Sequence, residues 1–192
     1  MLRARMRRVG RRREVTLSGA NKAIWIGYTT RYREGGPKFE RAALTLAADK
    51  RREFPGLEVR CERLESKPEF LAAMQRLAAD GLLLRELHLI VHSGMYGPMF
   101  GTVAWPEQFS PHEWRSMTLP FATDGEAFFH ACRSARWFAP FFARTHGVPA
   151  RGYHWYTSVS AAPDRFRWDG LVGPQAPLYI FGIPGRKSHG VL

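Results

Sequence analysis

Two rhythms of apolar and polar positions take turns along this chain. Residues 23–28 are an apolar run that ends in the polar Thr29, Thr30 and Arg31, which predicts a buried strand. Gly35, Gly36 and Pro37 then open a segment whose apolar residues Phe39, Ala42, Ala43, Leu46 and Ala47 recur at gaps of three and four. That spacing puts one apolar face on a helix, and Pro55-Gly56 ends it. Residues 57–64 alternate Leu57, Val59 and Cys61 with Glu58, Arg60 and Glu62, as a strand does when one of its faces is wet. An edge position in a sheet suits it. Ser66-Lys67-Pro68-Glu69 predicts a capping box with proline in the first turn of a second helix. Phe70, Leu71, Met74, Leu77 and Ala78 give that helix its apolar face before Gly81 ends it.

Further along, residues 87–91 and 126–131 are almost continuously apolar, which predicts central strands covered on both faces. Residues 152–160, rich in aromatic and β-branched side chains, predict a third central strand, and residues 178–181 a last one. Residues 135–145 predict a helix bounded by Gly147 and Pro149. Strands alternating with helices imply a mostly parallel sheet in a three-layer αβα sandwich, with right-handed crossovers. The functional crevice of such a sheet lies beyond the carboxyl ends of its strands.

The 192 residues suit one α/β domain, placed at residues 21–192 behind a basic arm at residues 1–20. The arm changes how the net charge of +12 is read. Seven arginines fall within the first thirteen residues, so about half of the excess belongs to a solvated tail capable of weak, non-specific contact with nucleic acid. A hydrophobic content of 45% with 24% charged residues excludes wholesale disorder. No apolar run approaches the ~18 residues of a membrane span, and the N-terminus lacks the apolar middle of a secretory signal. Cys61 and Cys132 are too few for a disulfide framework or a cysteine-based zinc site. The expectation is a cytoplasmic protein in a reducing compartment, with no metal and no cofactor.

Chemistry enters at two strand ends. One central strand runs out into His92-Ser93-Gly94, the other into Cys132-Arg133-Ser134, with Cys132 close to the start of the following helix. If the strands are neighbours, a thiol and an imidazole meet in the crevice as nucleophile and general base. The run His130-Ala131-Cys132-Arg133-Ser134 resembles the caspase motif Gln-Ala-Cys-Arg-Gly, and His92-Ser93-Gly94 resembles the His-Gly motif of caspases, legumains, gingipains and their bacterial relatives. The order of elements from residue 23 to about residue 160 is similar to theirs as well.

That resemblance implies a caspase-haemoglobinase-like fold and a cysteine endopeptidase that cleaves peptide or protein substrates through an acyl-enzyme. It makes Cys132 the nucleophile and His92 the acid/base. Backbone N–H groups of Cys132 and of Ser93 or Gly94 would form the oxyanion hole. It also implies substrate contacts at Arg31 (for an acidic side chain), at His130, and along residues 159–163, including Val159 and Ser160. Ser93, Ser134 and His130 depart from the family's glycine, glycine and glutamine.

The other chemistry-bearing residues have simpler readings. Cys61 and His88 belong to a core, His112 to the first turn of a short helix at the surface, and His146 to a helix C-terminus that favours its charge. Two further functions stay open: a catalytically silent domain of the same type used for binding, and nucleic-acid binding through the arginine arm. No Gly-x-Ser-x-Gly elbow and no glycine-rich phosphate loop is present, which argues against a serine hydrolase and a dinucleotide enzyme.

Overall fold

The computed structural model describes residues 21–31, 35–101 and 106–189; the arginine arm lies outside them. Its centre is a five-stranded, all-parallel sheet. Five of the first ten strands build it: β1 (Lys22–Tyr28), β2 (Glu58–Arg63), β3 (Leu83–Ile90), β7 (Phe121–His130) and β8 (Ala150–Arg151), in the order β2-β1-β3-β7-β8. The half-wet β2 lies at an edge, as its alternation predicts, and the apolar β1 and β3 lie inside.

Four helices cover the sheet: α1 (Gly36–Glu53), α2 (Lys67–Ala79), α3 (Pro111–Ser116) and α4 (Phe138–His146). Helix α1 covers one face, where Ala42, Ala43 and Ala47 pack with Ile24, Ile26, Ile90 and Leu178. Helices α2, α3 and α4 cover the other, where Phe70, Leu77, Trp114 and Phe142 pack with Trp25, Leu87, Leu89 and Phe129. The result is the three-layer α/β sandwich expected from the alternation of periods. No helix among the described residues is long and apolar enough to cross a membrane.

Local chemistry explains the helix starts. At α1, Gly35 adopts φ 101°, and a Cβ on Gly36 would stand 2.1 Å from the Thr30 carbonyl oxygen, so the helix starts against the end of β1 only with glycine there. Ser66 caps α2 by accepting from Glu69 N–H, while the Glu69 carboxylate reaches back to Glu65 N–H. Helix α3 carries the full reciprocal box of Ser110 and Glu113, with the exposed His112 in its first turn.

Three elements differ from the sequence expectation. After the two residues of β8 the chain leaves the sheet at Gly152, so residues 152–160 are not a central strand. A Cβ there would lie 2.4 Å from Ser134 Oγ, which shows how tightly this segment is drawn onto the turn after β7. The β-rich residues further on form a separate antiparallel ribbon, β9 (Ser158–Ser160) with β10 (Tyr179–Phe181), laid over the α1 face. The last helix begins at Phe138 rather than Ala135, with Pro140 in its first turn. Finally, β3 continues into a small antiparallel sheet of β4 (His92–Gly94), β5 (Gly97–Gly101) and β6 (Pro106–Gln108), where the glycine-rich sequence predicts a hairpin.

Candidate active site

Parallel pairing of β3 with β7 sets Ile90 opposite His130. Two residues beyond that rung stand His92 and Cys132, so adjacent strands, ~4.8 Å apart in such sheets, deliver the imidazole and the thiol to the same edge. Both strand ends are rigid, because Val91 and Ala131, the residues just before, are buried. The His92 ring packs on Phe39 of α1, with ring centroids 4.9 Å apart. Cys132 Sγ accepts from Thr157 N–H at 3.3 Å and lies 3.4 Å from Thr157 Oγ1.

The turn that presents Cys132 is tied down by backbone bonds to the irregular segment after β8. Arg133 N–H donates to Trp155 O and Ala135 N–H to Tyr153 O. Ser134, the residue that departs from the family's glycine, has a structural task. Its buried hydroxyl lies within donating distance of Ala131 O (2.7 Å) and Phe129 O (2.9 Å), and it accepts from Tyr153 N–H. Removing it leaves buried backbone groups unpaired, at a cost of about 1–3 kcal/mol. We expect Ser134→Ala to lower the urea midpoint accordingly; an unchanged midpoint would show that the hydroxyl does not hold the turn. Helix α4 starts six residues after Cys132, so the helix end does not follow the thiol directly in the chain.

Ser93 and Gly94 stand across from this turn, fixed by the hairpin pairs Ser93–Pro98 and Gly94–Gly97. A Cβ on Gly94 would fall 2.6 Å from Gln108 Nε2, which donates to Gly97 O. Ser93 and Gly94 on one side, with Cys132, Arg133 and Arg136 on the other, line a cavity of about 510 Å³. Nucleophile and predicted oxyanion segment therefore share one cavity.

The remaining predicted contacts are placed elsewhere. Arg31 pairs with Glu65 at 3.6 Å, a carboxylate it shares with Arg63 and Thr30. Val159 packs into the α1-side core, and Ser160 is fully buried. The Ser160 hydroxyl serves Ala162 and Arg167 N–H and the Ala162 and Arg165 carbonyls, so it organises a loop and offers nothing to a ligand. His130 belongs to a polar chain inside the α1 face. Lys50 Nζ meets Glu86 at 2.9 Å, Glu86 meets His88 Nε2 at 2.8 Å, and His88 Nδ1 meets His130 Nε2 at 3.0 Å. A carboxylate only accepts, so His88 donates through Nε2 and receives the Nε2–H of His130 at Nδ1. His130 Nδ1 is left a buried acceptor without a partner among the described residues.

Burial raises the Glu86 carboxyl, but hydrogen bonds from His88 and Lys50 outweigh it and hold the group down at about 2. Burial lowers His88, and burial together with the nearby His88 lowers His130 to about 3. His88 is thus the core histidine expected, and His130 is a structural member of the same chain. His146 corrects the sequence reading: burial against Phe142 pushes it down to about 4, so it stays neutral at the end of α4. Burial likewise pushes Cys61 up to about 11, as suits a core thiol.

Sequence reasoning missed Thr157, because the apparent strand over residues 152–160 hid it. It also missed the pair Arg133 and Arg136, although their place one and four residues after Cys132 was visible. No family model, no curated protein and no solved structure matches this chain, and the site is interpreted from its own geometry.

Proposed function

We propose that this chain is a caspase-like cysteine endopeptidase working through Cys132 and His92. What carries the reading is that neighbouring strands β3 and β7, in register at Ile90 and His130, end together in His92 and Cys132 beside one cavity.

In the proposed reaction Cys132 Sγ attacks the scissile carbonyl carbon, and the C–S bond forms as the carbonyl electron pair moves onto oxygen. Backbone N–H groups of Cys132 and of Ser93 or Gly94 hold that oxyanion. Collapse breaks the C–N bond, and His92 supplies the proton that the leaving amine takes. His92 then removes a proton from water, which attacks the thioester; the C–S bond breaks and the thiol is restored. Thr157 positions the sulfur through its N–H. Both cysteines are free, which agrees with a reducing, cytoplasmic setting for such an enzyme.

The test is turnover of a peptide library by the full chain. Cys132→Ala should abolish it with the circular dichroism spectrum unchanged, and His92→Ala should cost on the order of 10²–10⁴-fold. Cleavage that survives Cys132→Ala rejects the proposal.

A further inference from the structure

The cavity that holds Cys132 carries two positive charges without a counter-charge. Arg133 and Arg136 both line it, and no carboxylate does. Elsewhere on the surface Arg60, Arg76, Arg85 and Arg151 are each paired with an acidic side chain. Among the described residues no carboxylate lies within ion-pair distance of Arg133 or Arg136.

Neutral partners hold both guanidinium groups in place. Arg133 lies 4.5 Å from the Tyr156 ring centroid and donates to the Tyr156 hydroxyl at 2.6 Å. Arg136 lies 4.0 Å from the Trp155 ring centroid and donates through Nε to His154 O at 2.7 Å. These contacts fix position without neutralising charge, and they leave other N–H donors of each planar fork for a carboxylate.

The backbone adds a second, independent sign. Arg133 has φ 56°, the one positive value at a non-glycine residue among those described. Glycine or asparagine would adopt it more easily, and an arginine there costs roughly 1–2 kcal/mol. A side chain kept against its backbone preference, next to the thiol, points to a role in the cavity.

We infer that Arg133 and Arg136 form an anion subsite beside Cys132 that selects peptide substrates bearing an Asp or Glu side chain next to the bond to be cut. This reading rests on the peptidase proposal for its substrate, but the charge at the site can be tested without turnover. It also moves acid recognition away from Arg31, which Glu65 already pairs.

The experiment compares alkylation of Cys132 in the full chain by iodoacetate, an anion, and by iodoacetamide, its neutral counterpart. Peptide mass spectrometry reads each cysteine separately, with the urea-unfolded chain as reference. We expect the iodoacetate-to-iodoacetamide rate ratio at native Cys132 to exceed the unfolded ratio by about tenfold. Each of Arg133→Gln and Arg136→Gln should lower it about threefold, the attraction of one unit charge across a solvated cavity. Arg133→Lys and Arg136→Lys should keep most of the excess, which separates loss of charge from a disturbed turn. An Asp- or Glu-containing peptide should protect native Cys132 from iodoacetamide better than its Asn or Gln counterpart. A native ratio equal to the unfolded one overturns the inference, as does equal protection by acidic and amide peptides. If the ratio is raised and only acidic peptides protect, yet nothing is cleaved, the subsite stands and the peptidase reading falls.

Discussion

Between pH 6.5 and pH 4 the domain should lose about 3 kcal/mol of stability through His146 and a similar amount through His130. Both are neutral in the fold because burial disfavours the imidazolium, with folded values of about 4 and about 3. In the unfolded chain they take up protons near pH 6.5, so below that pH the unfolded state binds more protons and gains on the native one. The slope is about 1.4 kcal/mol per pH unit for each histidine, and for His146 it flattens once the folded group protonates near pH 4. Glu86 adds to the same trend at lower pH. Its folded value of about 2 lies below the ordinary carboxylate value of 4.5, so its contribution is present above pH 4.5 and is lost toward pH 2.

Urea denaturation followed by tryptophan fluorescence at pH 7, 6, 5 and 4 measures the effect. His146→Phe isolates one proton from the rest, since its ring sits among Phe142 and Trp114 and its buried Nε2 has no partner among the described residues. The variant should be flatter by about 1.4 kcal/mol per pH unit between pH 6.5 and 4. Parallel pH profiles for the two proteins would mean that His146 is not held neutral by the fold.

The same histidines show where sequence reading stops. Periodicity located β1, α1, β2, α2 and β3 because each buries a regular face: Ala42, Ala43 and Ala47 of α1 recur at helical spacing, and Cys61 alternates with charged neighbours in β2. The carboxyl-edge rule then led to His92 and Cys132, since the position of a strand end depends only on where its apolar run stops. The state of a titratable group depends on what packs around it. His146 ends its helix with a basic side chain, the usual arrangement, and only the aromatic cluster of Phe142 and Trp114 reverses its charge. His130 looked like a pocket residue because it shares a strand face with Cys132. Its bond to His88, 42 residues away in sequence, is invisible to any local pattern.

Residues 152–160 failed for a different reason. High β propensity says that a segment fits a pleated surface, not which sheet it joins. Here the pull of the Ser134 turn on Gly152 and Tyr153 ends β8 early, and the ribbon β9–β10 takes the rest. Trp155 and Tyr156, which composition assigns to a core, are consequently 51% and 66% exposed and brace the two arginines.

Gly97→Ala should be the most damaging single methyl group in the site, costing about 3–5 kcal/mol from backbone strain and overpacking together. Gly97 turns the β4–β5 hairpin with φ 100°, which L side chains rarely adopt. A Cβ there would lie 2.2 Å from the Phe138 ring. That ring has no room to move: it is buried and wedged against Phe129 (ring centroids 4.7 Å apart) and Trp114 (5.3 Å). Relief can come only from the hairpin, which would lift and carry Ser93 and Gly94 away from Cys132. Gly147→Ala provides the control, because Gly147 also has positive φ (68°) but nothing within 4 Å of the new methyl group, so only the strain of about 1 kcal/mol remains. The difference between the two urea midpoints therefore measures the contact with Phe138. If the hairpin lifts, Gly97→Ala should also change the rate at which Cys132 is alkylated under native conditions, whereas Gly147→Ala should not. Equal effects of the two substitutions on stability would show that β4–β5 is not anchored on Phe138, and the cavity wall facing the thiol would then have to be held by some other contact.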